Sequence, residues 1–226
     1  MNKKVPCIIL ARKNSKSIKN KNIIKLKNLT LIEHTIKYLK KSKFVGDIIV
    51  STDDKRIANI SKKYNCFIIY PRPKKYSSDK ATTEIALKHA LKIYETKKGT
   101  TDIVTYVQIT EVFKPPYLLD QCIKKLLKNK NLDSCFVAYE QHKNFWIKKK
   151  GLLSRISPIN ERYKPRQIKK PILREDTGHG LATRSNVIRK GERIGNKVSC
   201  VSYKNPLYSF DLNSKEDLKL FKKLIN

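Results

Sequence analysis

Two observations predict an α/β fold with a mainly parallel sheet. Short apolar runs of strand character alternate along the chain with segments whose apolar residues recur at helical spacing, the rhythm of strands joined by right-handed crossovers. The first apolar run also gives way abruptly to a loop crowded with cations and small polar side chains. That loop lies beyond a strand's carboxyl end, where open α/β sheets take their ligands. A chain of 226 residues, 39% of them hydrophobic, suits one compact domain over 1–226 with a substantial core.

Residues 5–11 read as the buried opening strand. Leu31, Ile32, Ile36 and Leu39 share one helical face, with the polar stretch 27–30 leading in. Residues 47–52 form a second strand, and Asp53-Asp54 starts a helix through Ala58 and Ile60 to Tyr64. Residues 66–70 are a third strand, followed by a proline-punctuated loop over 71–79 that continues neither regular structure. Thr82-Thr83-Glu84 opens a helix through Ile85, Leu87, Ala90 and Leu91, and 102–108 is a strongly apolar strand. Pro115 and Pro116 begin a helix over 118–127, where an early proline leaves no donor unsatisfied. Residues 134–139 are again a strand.

From 141 to 170 the rhythm stops: Trp146, Leu152, Leu153 and Ile156 alternate with lysines, and Pro158 and Pro165 interrupt. This reads as a β-hairpin or arm leaving the body, its apolar residues either covering a second subunit or folding back. Residues 181–183 and 197–203 are late strands, and Ser214-x-x-Asp217 caps a final amphipathic helix through Leu218, Phe221 and Leu224.

Composition narrows the function classes. No apolar run approaches membrane-spanning length and no signal-peptide core follows Met1, so the expectation is a soluble, cytoplasmic protein. The five cysteines stand singly, without zinc spacing, and read as reduced core filler. The net charge of +32 suits anionic ligands, and nucleic-acid binders share it. The lysines, however, are dispersed along the chain and not interleaved with aromatic residues as a stacking platform requires, which makes nucleic acid an unlikely partner.

The candidate chemistry begins after the first strand. Arg12, Lys16 and Lys21 can neutralise a polyphosphate, while Asn14 and Ser15 offer polar donors; no Walker-type or Gly-rich dinucleotide motif is present. Further on stand Arg72-Pro73 with Ser78-Asp79, then the segment 106–114 with Gln108, Thr110, Glu111 and Lys114. Later come Pro165-Arg166-Gln167, Arg174-Glu175-Asp176-Thr177-Gly178 with His179, and Asp211-Leu212-Asn213. An arginine fork beside a hydroxyl can read the edge of a pyrimidine, and two arginines can clamp a carboxylate.

The run Leu10-Ala11-Arg12-x-x-Ser15-Lys16-x-x-x-x-Lys21-Asn22 resembles the N-terminal signature of the CMP-sugar synthetases, cytidylyltransferases acting on sialic acid and related keto-sugar acids, the legionaminate, pseudaminate and KDO enzymes among them. The later motifs follow in the family's order across almost the whole chain. The resemblance implies a nucleotide-diphospho-sugar transferase (Rossmann-like) fold, a protruding dimerisation arm over 141–170, a homodimer, and Mg²⁺ as cofactor. It implies attack of a keto-sugar acid's anomeric hydroxyl on the α-phosphate of CTP. By the same resemblance Leu10, Ala11, Arg12, Asn14, Ser15, Lys16, Lys21, Asn22, Arg72 and Ser78 hold the nucleotide, and Gln108, Thr110, Arg166 and Arg174 face the sugar. Asp211 and Asn213 hold the metal, and Arg12, Lys21 and Asp211 carry catalysis.

Several residues depart from the family pattern: Ser17 stands where many relatives have glycine, Lys114 where they have arginine, and Asp176-Thr177-Gly178 where they have Asn-Gly. Glu111 replaces a small serine, and a carboxylate there repels a sugar acid unless a cation neutralises it. Asn213 replaces the second aspartate, so it supplies an oxygen but no charge. These departures leave a second reading open, a nucleotide-binding relative with weakened or lost turnover. The sequence does not select among the sugar acids.

Overall fold

A computed structural model describes residues 4–14 and 17–225. Among these, eight strands form one sheet in the order β10-β7-β11-β6-β1-β4-β5, with β12 also paired to β7. The strands are β1 (Val5–Ala11), β4 (Val45–Thr52), β5 (Phe67–Ile69), β6 (Ile103–Val107), β7 (Ser134–Gln141), β10 (Ile172–Glu175), β11 (Leu181–Arg184) and β12 (Val198–Tyr203). β1 runs parallel to β4 and β6, β4 to β5, and β7 to β12; β10 and β11 run antiparallel to their neighbours. The sheet is therefore mainly parallel, as the alternation predicts. Two small hairpins stand apart, β2 (Lys25–Leu26) with β3 (Leu29–Thr30), and β8 (Trp146–Lys149) with β9 (Leu152–Arg155).

Side chains alternate along each strand, so both faces of the sheet need cover. On β1, Cys7, Ile9 and Ala11 face one core, which they share with Leu31, Ile32, Ile36 and Leu39 of α1 (Leu31–Lys40) and Leu119, Cys122 and Ile123 of α4 (Pro116–Lys128). α2 (Lys55–Lys62) adds Ile57 and α6 (Lys215–Ile225) adds Phe221 to the same side. Ile8 faces the other core, with Leu87, Ala90 and Leu91 of α3 (Thr83–Lys98) and Ile188 of α5 (Ser185–Lys190). Each such side chain, taken fully out of water, contributes about 1.5–3 kcal/mol before chain entropy is counted.

Helix starts follow their polar caps. Thr30 and Glu33 form a reciprocal capping box on α1, Asp54 caps α2 through the Arg56 N–H, and Thr82 caps α3 through the Ile85 N–H. At α6 the Ser214 hydroxyl accepts from the Asp217 N–H at 3.0 Å, while the Asp217 carboxylate accepts from the Ser214 and Asn213 N–H groups. β8 and β9 pair only with each other, and Leu152, Leu153, Ile159 and Tyr163 of the 141–170 segment are strongly exposed. Cys7, Cys122 and Cys135 are buried, Cys66 and Cys200 half-buried, and all five are free thiols.

Candidate active site

The carboxyl ends of β1, β4 and β6 open into three adjoining cavities that form one trough. The first, of about 310 Å³, is lined by Leu10, Arg12, Arg72, Ser78, Thr83 and Tyr106 among others. The second, of about 210 Å³, shares Leu10, Arg12, Thr83 and Tyr106 and adds Lys21, Asn22, Gln108 and Thr110. The third, of about 390 Å³, shares Gln108 and adds Glu111, Arg174, Asp176, Gly178, Arg193, Asp211 and Asn213. The motifs thus gather along the trough out of chain order, with Arg72 and Ser78 at one end, Lys21 and Asn22 in the middle, and Arg174 and Asp211 at the other end.

At the first end Arg72 is buried, only 5% exposed, where the chain leaves β5. Its N–H donates to the Thr52 carbonyl at 2.8 Å and its guanidinium to the Ser51 carbonyl at 3.3 Å, which fixes the side chain under the cavity. Its Nε is buried without an acceptor, and burial disfavours its charge. A charged fork held this way in a cavity wall presents donors to whatever enters. Tyr76, also in this wall, stacks on His89 with ring centroids 4.1 Å apart.

The loop after β1 is tied at several points. Asn22 donates from its amide to the Arg12 carbonyl at 2.9 Å, so these two residues stay together although ten positions apart. The Lys13 N–H donates to Asp53 at 2.7 Å, and Arg12 pairs with Asp79 at 2.8 Å across the mouth of the first cavity. Lys21 donates to the Leu212 carbonyl at 2.7 Å, which ties the first loop to the far end of the chain. Burial lowers the Lys21 pKa while Asp211 and Glu111 support its charge. Arg12, Lys21 and Asp211 therefore occupy one trough. Asn14 lies in the same loop, and Ser15 and Lys16 lie outside the described residues.

The third cavity holds most of the departures from the family pattern, Glu111 and Asn213 among them. Glu111 and Asp211 oppose each other in an isolated antiparallel bridge, reinforced by the Leu212 N–H to Thr110 carbonyl bond at 3.1 Å. Burial first, and then Asp211 and Asp176, hold the Glu111 carboxyl above the usual range despite Lys114 nearby; burial pushes the Lys114 ammonium down, against the pull of Glu111. Lys114 donates to the backbone carbonyl of Glu111. Glycine at 178 leaves room for the Glu111 carboxylate, which a β-carbon at that position would displace. Asp211 accepts from the Asn213 amide at 2.6 Å through one oxygen, while its other oxygen is buried without a hydrogen-bond partner.

Arg174, on β10, donates to Asp176 at 3.1 Å and lies over the Tyr139 ring at 5.2 Å. Arg166 does not join it. It is exposed and lines a separate cavity of about 290 Å³ with Tyr139, His142, Lys143 and Lys204, so the two arginines do not clamp one carboxylate within this chain. His179 does not edge the pocket either. It is fully buried, donating from Nε2 to the Tyr208 carbonyl, and burial together with Lys114 pushes its pKa down to about 4. Tyr106, which lines two of the three cavities, passes in the sequence for an ordinary strand residue, and so does Thr83 for a helix start.

Comparison with known proteins agrees with this arrangement. The family model described as cytidylyltransferase matches residues 6–223. A pseudaminic acid cytidylyltransferase of Campylobacter jejuni is 30% identical over 125 residues, 55% of this chain and 54% of that protein. A CMP-N,N'-diacetyllegionaminic acid synthase of the same species is 34% identical over 85 residues, 38% of this chain and 36% of that protein. These alignments span about half or less of the relatives' own length. Among solved structures, a CMP:2-keto-3-deoxy-manno-octonic acid synthetase complexed with CTP superposes with a TM-score of 0.69 at 14% identity, covering 98% of both chains. A 4-diphosphocytidyl-2C-methyl-D-erythritol synthase of Anaerococcus prevotii gives 0.70 at 15% identity, covering 99% of this chain and 96% of the other. At such identities the likeness shows the fold, which is the nucleotidyltransferase sheet expected above. With nearly its full length matched by the family model, and its motifs gathered along one trough, the chain belongs to the cytidylyltransferase family.

Proposed function

We propose that this chain transfers a cytidylyl group from CTP to the anomeric hydroxyl of an acidic keto-sugar of the nonulosonate class. The observation that carries the reading is the continuity of the trough. A buried arginine lies at one end, Arg12 and Lys21 in the middle, and Arg174 and Asp211 at the other end. Cytosine has an acceptor edge suited to Arg72 and Ser78, and its triphosphate then runs toward Arg12 and Lys21. The hydroxyl oxygen bonds to the α-phosphorus, the bond to the β-phosphate oxygen breaks, pyrophosphate leaves, and the hydroxyl proton passes to solvent.

Catalysis in this reading is positioning and charge neutralisation. Arg12 and Lys21 face the charge that builds on the departing pyrophosphate, and Lys21 is fixed for that task by Leu212. Gln108 and Thr110 lie where the second and third cavities meet and orient the sugar.

Asp211 suits Mg²⁺: its orphaned buried oxygen is a hard donor without a protein partner, and Mg²⁺ commonly takes one or two carboxylates plus substrate phosphates. Asn213 lies beside it and donates its amide N–H to the other carboxylate oxygen. The bound ion would screen negative charge near the α-phosphate. The exposed apolar residues of the 141–170 arm support a homodimer, with the arm laid on a second copy. No described helix is long and apolar enough to cross a membrane, and a cytoplasmic location accords with CTP as the nucleotide donor.

The test is pyrophosphate release with CTP and a panel of sialic, legionaminic and pseudaminic acids in Mg²⁺. Turnover with one of them is the expected result. No turnover with any, together with no CTP binding by calorimetry, overturns the reading.

A further inference from the structure

Two carboxylates of the third cavity, Glu111 and Asp211, face each other, and the lysines beside them are directed at backbone carbonyls: Lys114 at that of Glu111 and Lys21 at that of Leu212. Glu111 is only 5% exposed, yet no lysine, arginine or histidine among the described residues forms an ion pair with it; its carboxylate accepts from the Thr110 hydroxyl at 3.2 Å. The ammonium of Lys114 is directed at the backbone carbonyl instead. Among the described residues Asp211 likewise forms no ion pair, and one of its oxygens is buried with no hydrogen-bond partner. The other two acids of the cavity are already engaged, Asp176 by Arg174 and the Tyr203 hydroxyl and Glu175 by Arg193.

Glu111 and Asp211 are direct cross-strand partners in the antiparallel bridge, and opposed residues of such a bridge project to one side with β-carbons about 4.5–5.5 Å apart. Gly178, with no side chain of its own, leaves the space in which the Glu111 carboxylate lies. Two like charges so placed repel each other, and a divalent cation between them relieves that repulsion. Meanwhile Asn213 turns its N–H₂ group toward Asp211, the orientation of a donor to a carboxylate and not of a metal ligand.

From this we infer that Glu111, not Asn213, is the second ligand that joins Asp211 in holding the divalent cation. The charge missing at position 213 is supplied across the bridge from position 111, and a site that looks one aspartate short keeps both its negative charges. The inference rests on the proposed function for the identity of the ion, but its geometry and its test stand apart from turnover.

The test is Mn²⁺ binding to the full chain, followed by the loss of the free-ion electron paramagnetic resonance signal, without nucleotide and then with CTP. Glu111→Gln and Asp211→Asn should each weaken Mn²⁺ at least fivefold, and Asn213→Ala less than twofold. Glu111→Ser should lose binding as well, and Glu111→Ser combined with Asn213→Asp should regain it, which separates loss of a ligand from loss of fold. Less than a fivefold effect in Glu111→Gln, a loss in Glu111→Ser that the added aspartate does not restore, or no Mn²⁺ binding by the unsubstituted protein overturns the inference. CTP binding measured in chelator reports on the nucleotide site alone, so failure of the functional reading and failure of this one are distinguishable.

Discussion

Replacing His179 by glutamine should flatten the acid limb of the protein's stability. The imidazole is fully buried, its Nε2 bonded to the Tyr208 carbonyl, its Nδ1 without a partner, and the Tyr203 ring edge-on at 5.4 Å. Burial, with a smaller repulsion from Lys114, holds its pKa at about 4 against 6.5 in the unfolded chain, although Asp176 at 3.9 Å pulls the other way. Between these two values the unfolded chain binds more protons than the folded one. Stability is therefore complete above about pH 6.5 and declines as the pH falls toward 4, by at most about 1.4 kcal/mol per pH unit. By about pH 4.5 the accumulated loss from this one group is about 2.5 kcal/mol. Glutamine can still donate to the Tyr208 carbonyl but has no proton to gain. Urea unfolding of both proteins at about pH 7.5, 6.5, 5.5 and 4.5 gives two stability curves that should converge or cross by that amount as the pH falls. Parallel curves would refute the account of a neutral buried imidazole.

Four further outcomes follow from the same coordinates. Arg72→Lys removes the fork beneath the first cavity and should weaken CTP binding by calorimetry about tenfold or more, the value of one charged hydrogen bond, with the sugar KM little changed. Thr30→Ala breaks the α1 capping box and should cost about 1 kcal/mol in urea unfolding at unchanged m-value, with CTP affinity intact. Gly178→Ala displaces the Glu111 carboxylate and should cost about 1–3 kcal/mol, read as a lowered Tm. Leu152→Glu with Leu153→Glu should turn the proposed dimer into a monomer in light scattering, whereas a dimeric mass kept by the variant would refute the arm as its interface.

Most of the sheet was legible because each of β1, β4, β6 and β7 is a largely apolar run that water would not tolerate on both faces. The helix starts at Asp54, Thr82 and Ser214 were legible for a different reason: a capping residue acts through its immediate neighbours, so its signal is local. β10 was not, since Ile172 and Leu173 are its only apolar residues and three of its four positions are exposed. α5 has six residues, too few to display a helical period. In the site, Arg12, Lys21 and Asn22 stood out by their spacing. The opposition of Glu111 to Asp211 spans a hundred residues and is set by backbone pairing, which no local pattern announces. Arg166 shows the converse, a motif residue that lies in a different cavity once the arm is in place.

The bond from Lys21 to the Leu212 carbonyl has a consequence for the order in which this protein matures on the ribosome. The first cavity is lined wholly by residues before 107, so its lining has been synthesised while translation is still under way. The third cavity waits for residues 209–213 to emerge and close the last gap. A polypeptide interrupted just short of Asp211 would carry the lining of the first cavity yet lack that of the third.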